Sequence, residues 1–178
     1  MTEQDGTDRI IAQWHRERPE LDLAAMELIG RLGRLFAHLG RAVDATFFRH
    51  GLQRGEYDVL AALRRSGAPF TLTPSQLSDS LMLSRAGMTN RLDRLETAGL
   101  IARRNNPDDR RSMNIDLTTA GLAMVDQVTT EHVANETDLL SGLTGAERRS
   151  LDQVARKLLV RFESDGPGRE TPAGTDQV

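Results

Sequence analysis

The sequence predicts a mainly helical protein that carries one small β-hairpin. Three observations support this fold class. Apolar residues recur at steps of three and four, as in Leu21–Arg49, which places them on one face of a helix. Residues typical of helix starts precede several of these segments. Met113, Ile115 and Leu117 instead alternate with polar residues, which indicates a strand with one buried face.

The N-terminal third is predicted to hold three helices. Residues 1–9 are polar and acidic, and we expect them to be disordered. A short helix over Ile10–Glu17 ends at a proline, and the long helix over Leu21–Arg49 follows. A third helix, Glu56–Arg65, ends before the turn sequence Ser-Gly-Ala-Pro.

Two capped helices follow in the centre of the chain. Thr73 stands in the N-cap position, with a proline at the first helical position and Gln76 in the capping-box position, so a helix is predicted to about Ser80. Ser84 is predicted to cap the next helix, which ends at Gly99.

The hairpin comes next, and two helices complete the order. Strands are predicted at Ile101–Arg104 and Arg111–Leu117, joined by a turn at Asn105–Asp109. Thr118 caps a helix to about Leu140. Thr144 and Glu147 form a capping box that begins a last helix, to about Phe162, and residues 164–178 are expected to be a disordered tail.

Composition limits the class of protein. The chain has 178 residues, of which 38% are hydrophobic and 28% charged, with a formal net charge of -3. It has no cysteine, which excludes disulfides, zinc ribbons and cysteine nucleophiles. The polar N-terminus and the lack of a long apolar run predict a cytoplasmic protein without a signal peptide or membrane span. No catalytic constellation or metal-ligand set stands out, so we expect neither an enzyme nor a metal site.

A local basic segment points to duplex DNA. Arg85–Arg111 holds seven arginines and four acids, although the whole chain is acidic. On a helical wheel Thr89 and Asn90 lie opposite the core side and can hydrogen-bond base edges, while Arg94 can reach guanine or phosphate. The predicted DNA-binding residues are Thr73, Ser75, Ser84, Arg85, Ala86, Thr89, Asn90, Arg94, Asp109, Arg110 and Arg111.

An arginine-tipped hairpin directly after this helix favours DNA binding over an ordinary solvated face. Asp109 can hold a neighbouring arginine extended, so that its guanidinium enters a narrow minor groove. The run LTPSQLSDSLMLSRAGMTNRLDRLETAGLIARRNNPDDRRSMNIDLTTAG resembles the MarR family of bacterial transcription regulators. The resemblance implies a winged helix-turn-helix repressor, with the helix from Ser84 in the major groove and the wing around Arg110 in the minor groove.

The predicted organisation follows from this plan. Residues 10–55 form an added helix and a dimerisation helix, 56–118 the DNA-binding region, and 119–163 the C-terminal dimerisation helices. The long first helix and the last two helices carry apolar stripes that the small central region could not cover. We therefore favour a homodimer, which suits a palindromic operator, over a monomeric bundle.

One arginine of the DNA-binding helix does not fit that purpose. Arg91 lies about 60° from Met88 on the wheel, at the edge of the buried face. An arginine beside a core requires a carboxylate or an anion, because burying it alone is costly. Asp58, in an otherwise apolar helical segment, is the expected partner.

A second resemblance concerns a ligand site. The segment IIAQWHRERPELD, together with Asp58, Arg91 and Arg103, is similar to the urate-responsive, PecS-like subfamily of the same family. The resemblance implies a site for urate or a related purine or small anion, formed by Trp14, Asp58, Arg91 and Arg103. The tryptophan offers a stacking face and the arginines offer paired donors.

Three interpretations remain open from the sequence. The first is a repressor that a small-molecule effector, with no other cofactor, releases from double-stranded DNA. The second is a constitutive or architectural DNA-binding protein, in which Asp58 and Arg91 form a structural ion pair. The third is a helical interaction module whose arginines only solubilise it.

Overall fold

A computed structural model describes residues 4–81, 85–105 and 113–164; at Arg85 and Ala86 it describes the backbone alone. The chain divides into two compact units between Glu136 and Thr137. The elements are α1 (Gly6–Glu17), α2 (Ala24–Arg49), α3 (Arg54–Arg65), β1 (Thr71–Leu72), α4 (Pro74–Leu81), α5 (Arg85–Thr97), β2 (Ile101–Asn105), β3 (Met113–Leu117), α6 (Thr119–Leu139) and α7 (Gly145–Ser164). The predicted mainly helical fold with a small wing is confirmed.

Helix α1 begins at Gly6, four residues before the predicted start, so residues 6–9 are helical rather than disordered. The cause is a capping box built from two aspartates. The carboxylate of Asp5 accepts hydrogen bonds from the backbone N–H groups of Thr7 (2.6 Å) and Asp8 (3.3 Å). The Asp8 carboxylate accepts one from the Asp5 N–H at 2.6 Å, so donors at the helix start are satisfied.

Helices α4 and α5, which are predicted to bind DNA, share one core with the hairpin. Strands β2 and β3 pair antiparallel, with Ile101 opposite Leu117, and β1 pairs with the other edge of β3. The sequence did not predict β1, because its two residues are too few for a visible alternation. The core under this sheet draws on α2 to α6 and includes Phe47, Leu60, Leu63, Leu77, Met88, Leu92, Leu95, Ile115, Val125 and Val128.

Three of the predicted helix caps, at Thr73, Thr118 and Thr144, are present. The Thr73 hydroxyl accepts from the Gln76 N–H at 3.3 Å, and the Gln76 side chain accepts from the Thr73 N–H at 2.8 Å. Thr118 accepts from the Gly121 N–H at 2.9 Å at the start of α6. Thr144 and Glu147 form the predicted box before α7, and the Thr144 hydrogen bonds lower the pKa of the Glu147 carboxyl.

Two helices present apolar side chains that the single chain does not cover. Those of α2 include Met26, Leu28, Ile29, Leu35, Phe36 and Phe48, and those of α7 are Leu151, Val154, Leu158, Leu159, Val160 and Phe162. Helix α7 contains no buried residue among those the structure describes. None of the described helices is long and apolar enough to cross a membrane.

Candidate DNA-binding interface and effector cleft

Helices α4 and α5 form the helix-turn-helix pair. Met88, Leu92 and Leu95 of α5 are buried in the core, as the helical wheel predicted. Thr89 and Asn90 are exposed on the same helix. Of the other predicted DNA contacts near this helix, Ser84 lies outside the described residues, and for Arg85 and Ala86 only the helical backbone is described.

The two predicted contacts on α4 differ in their environment. The Thr73 hydroxyl caps the helix, so its oxygen is engaged with the backbone. Ser75 is exposed in the first turn of α4. The wing turn that contains Asp109, Arg110 and Arg111 lies outside the described residues, although β2 and β3 lead into it from both sides.

Two arginines of β2 form ion pairs, one within the sheet and one with α5. Arg104 of β2 pairs with Asp116 of β3 at 3.0 Å, and Asp116 also accepts a hydrogen bond from the Thr71 hydroxyl at 2.6 Å. Arg103, which faces the other way, donates to Asp93 of α5 at 2.5 Å and lies 3.5 Å from the Glu96 carboxylate. The wing and the DNA-binding helix are therefore linked through Arg103.

Arg94 of α5 has a partner that the sequence analysis missed. Its Nε donates to the Glu56 carboxylate in the first turn of α3, although the arginine side chain is 55% exposed. Glu56 itself is buried, and its second oxygen accepts from the Gln53 N–H at 2.7 Å. The capping-box spacing of Gln53 and Glu56 could have indicated the helix start, but nothing local indicates the distant arginine.

Asp58 is not the direct partner of Arg91 that the sequence predicted, because no ion pair or hydrogen bond joins the two side chains among the described residues. Burial raises the pKa of the Asp58 carboxyl, and the positive charges of Arg54, Arg65 and Arg91 oppose this rise. Arg91 is partly buried and donates to the Gly87 carbonyl oxygen at 3.1 Å. Its guanidinium occupies the space where any residue at Gly55 other than glycine would place a Cβ.

A cleft of about 290 Å³ opens between α3 and α5 beside these groups. Its walls consist of Gln53, Glu56, Gly87, Asn90, Arg91 and Arg94. Arg91, an exposed amide and the paired Arg94 and Glu56 thus converge on one volume, beside the helix that also carries the predicted base contacts. Such a lining is suited to a small polar anion.

Trp14 and Arg103 are not joined to this cleft by polar contacts. The Trp14 side chain is 41% exposed on α1, and within the described ranges it has no hydrogen bond or ring contact with Asp58, Arg91 or Arg103. Arg31 of α2 holds α1 in place through Asp5 and Asp8, each at 2.7 Å. Arg31 also lowers the pKa of Asp5 to about 2.

The paired helices, the sheet and the exposed face of α5 define a winged helix-turn-helix protein. A family model described as MarR family matches residues 50–112. The chain is 45% identical over 154 residues to the HTH-type transcriptional regulator PecS of Dickeya dadantii (strain 3937), covering 86% of this chain and 90% of that protein. It is 36% identical over 99 residues to the transcriptional repressor MprA of Escherichia coli (strain K12), covering 54% and 56%.

A solved structure agrees with this assignment. A mutant MarR from E. coli in complex with operator DNA superposes with a TM-score of 0.64 at 25% identity, over 82% of this chain and 97% of that one. The chain therefore belongs to the MarR family. It is a PecS-like, DNA-binding transcription regulator and not an enzyme.

Proposed function

We propose that this protein is a homodimeric repressor that urate, or a related purine or small anion, releases from a palindromic operator. The observation that carries the proposal is the position of Arg91. It belongs to the DNA-binding helix, yet its guanidinium lies against Gly55 of α3 and lines the cleft between the two helices. A group that binds Arg91 there acts directly on the helix that reads DNA.

The charges around the cleft favour an anion as the effector. Arg91 retains donors beyond its bond to the Gly87 carbonyl, and Asp58 contributes a carboxylate whose ionised form is disfavoured by burial. An anion in the cleft competes with Asp58 for Arg91, and α5 shifts with the arginine. The effector must bind the released state more tightly than the DNA-bound state, since equal affinity would shift nothing.

Trp14 is proposed as the stacking face for a flat heterocycle. Its exposed ring is on α1, which Arg31 attaches to α2 through Asp5 and Asp8. Arg103 is proposed as a further donor to the effector, although its present partners are on α5. Repression rather than activation is supported by the name of MprA, a transcriptional repressor.

The proposed homodimer uses the apolar side chains of α2 and α7. Phe36 and Phe162 are 68% and 67% exposed in the single chain, which is unfavourable for rings of this size. Burying these faces against a second copy gives the two-fold symmetry that a palindromic operator requires. Sedimentation should show a dimer at micromolar concentration, and Phe36→Glu should shift it to monomer and weaken operator binding. A monomeric wild-type protein would contradict this part of the proposal.

The effector role is tested by a mobility-shift titration. The probe is a duplex selected by the wild-type protein from a random library, and urate, xanthine and several organic acids are added in turn. Release by a purine or another anion supports the proposal. Retention of the complex in every one of them supports a constitutive regulator instead.

Two variants locate the response within the cleft. Gly55→Ala adds a Cβ that displaces the Arg91 guanidinium without changing any charge, and Asp58→Asn removes the competing carboxylate. Both should alter the effector concentration needed for release. Arg64→Gln is the matched control, because this arginine of α3 pairs with exposed Asp126 at 2.8 Å, away from the cleft. An unchanged response in Gly55→Ala and Asp58→Asn would refute the mechanism.

A further inference from the structure

The DNA-binding helix is attached to α3 by a carboxylate in an unusual environment. The Glu56 side chain is only 3% exposed, whereas most glutamates remain in water. Both of its oxygens have donors, since one accepts from the Gln53 N–H at 2.7 Å and the other from Arg94 Nε. A buried carboxylate is tolerated when it is paired and hydrogen-bonded in this way.

This Glu56–Arg94 bridge spans a gap between two helices. On one side is the cleft that contains Arg91, and on the other is a second cleft of about 370 Å³. Glu56 and Arg94 line both clefts, so the bridge borders each of them. At this point α5 and the start of α3 are connected by a polar pair that borders two clefts.

We propose that Glu56 and Arg94 are positioning residues that set the angle of α5 on α3. The apolar side chains Met88, Leu92 and Leu95 anchor the helix in the core, and the bridge fixes its rotation at the first turn of α3. Arg94 Nε donates to Glu56, and in this proposal the contribution of Arg94 to DNA recognition comes from the placement of Thr89 and Asn90. This assignment replaces the predicted direct contact of Arg94 with guanine or phosphate.

A positioning role and a direct contact of Arg94 with DNA predict opposite changes in operator affinity when Glu56 is removed. Glu56 is buried and negatively charged, so it cannot itself hold a phosphate. If only long-range charge mattered, removing it would strengthen DNA binding. If it positions α5, removing it weakens binding to the operator and leaves binding to unrelated DNA unchanged or slightly stronger.

The experiment measures affinity by mobility shift for a library-selected duplex and for a scrambled duplex, at several salt concentrations. We expect Glu56→Ala to weaken operator binding about tenfold, within the range for residues in one ion-pair network. Arg94→Ala should have a similar effect. The Glu56→Ala/Arg94→Ala double variant should bind within about twofold of either single variant, because both substitutions remove the same bridge.

Other results would overturn the proposal. Operator binding of Glu56→Ala at or above the wild-type level would do so. Losses of operator affinity that add up in the double variant would also overturn it. So would an Arg94→Ala variant that binds all DNA more weakly and whose only other change is a slope of log affinity against log salt smaller by about 0.9, the value for one phosphate contact. The bridge concerns DNA binding without any effector, so a failure of the effector proposal leaves this test intact.

Two controls separate placement from unfolding. Circular dichroism and thermal unfolding establish that each variant is folded. Glu56→Gln keeps the shape and a hydrogen-bonding oxygen, so it should give a smaller loss of operator affinity than Glu56→Ala and carries the test if the alanine variant unfolds. The Arg64→Ala/Asp126→Ala pair removes an exposed ion pair of α3 and should leave operator affinity unchanged.

Discussion

Helices α5 and α7 are both α-helices, but they differ in how many of their side chains are buried within the chain. Helix α5 buries three apolar side chains, and its charged residues pair with α3 and with the wing. Helix α7 is 20 residues long and buries none of them, although it carries six large apolar side chains. The comparison teaches that contacts within one chain fix the helix that reads DNA, whereas α7 leaves exposed the apolar side chains that we propose a second copy covers.

The largest expected difference between the two helices is tested by substituting one leucine in each. Leu95→Ala, at a site 1% exposed, should lower the free energy of unfolding by about 2–5 kcal/mol at every protein concentration. Leu159→Ala, at a site 55% exposed in the single chain, should act mainly by weakening association. Urea unfolding at two protein concentrations tests both. A Leu159→Ala effect that does not depend on concentration would contradict the role given to α7.

A smaller effect is expected where α5 meets the wing. Asp93→Asn with Glu96→Gln removes the carboxylates that hold Arg103, and operator affinity should fall about two- to fivefold, as for partly exposed ion pairs. These substitutions leave Arg103 available to an effector, so the effector concentration for half-release should stay near that of the wild type. Arg103→Gln, in contrast, should change both quantities. Equal effector responses in the two variants would remove Arg103 from the effector site.

Asp58 provides a test of buried charge on α3. Burial raises the pKa of its carboxyl, so its contribution to stability is fully present below the ordinary pKa of 3.8 and is lost as pH rises through the folded-state pKa. Asp58→Asn is neutral throughout. The stability of this variant relative to wild type should therefore be higher at pH 7 than at pH 3, as measured by urea unfolding. A difference that does not change with pH would mean that Asp58 is well solvated.

The smallest expected effect is local, at α1. Arg31 lowers the pKa of Asp5 to about 2, so this contact stabilises α1 above pH 3.8 and is lost as pH falls through about 2. Asp5→Asn should loosen α1 at neutral pH without unfolding the core. Trp14, the single tryptophan, is on this helix and reports the change by fluorescence anisotropy. Anisotropy equal to that of the wild type would show that the helix does not need Asp5.

Local signals in the sequence predicted the elements well, because they act within one or two helical turns. Thr73, Thr118 and Thr144 each cap the helix that was expected to follow. The start of α1 was placed too late because its capping box uses an aspartate pair rather than the more familiar serine or threonine with glutamate. Strand β1 was missed because its pairing partner is 45 positions away in the register Thr71–Asp116.

The candidate site was predicted only in part. The wheel placed Arg91 at the edge of the core, and the structure has it partly buried beside α3. The wheel gave no sign that Arg94 pairs with Glu56, since a wheel describes one helix and contains no information about neighbouring helices. Glu56, which binds Arg94, was not singled out because a glutamate in a first helical turn is ordinary by local criteria.

The sequence by itself determined the winged helical fold, the buried stripe of α5 and the family, because periodicity, caps and motif spacing are local properties. Only the tertiary structure decided which charges meet. Glu56 and Arg94 are 38 positions apart, and Arg103 reaches Asp93 across a helix–strand junction. Such pairs depend on where two elements cross. Several arginines have a similar local sequence, and only the packing of the elements determines which of them lies beside a given carboxylate.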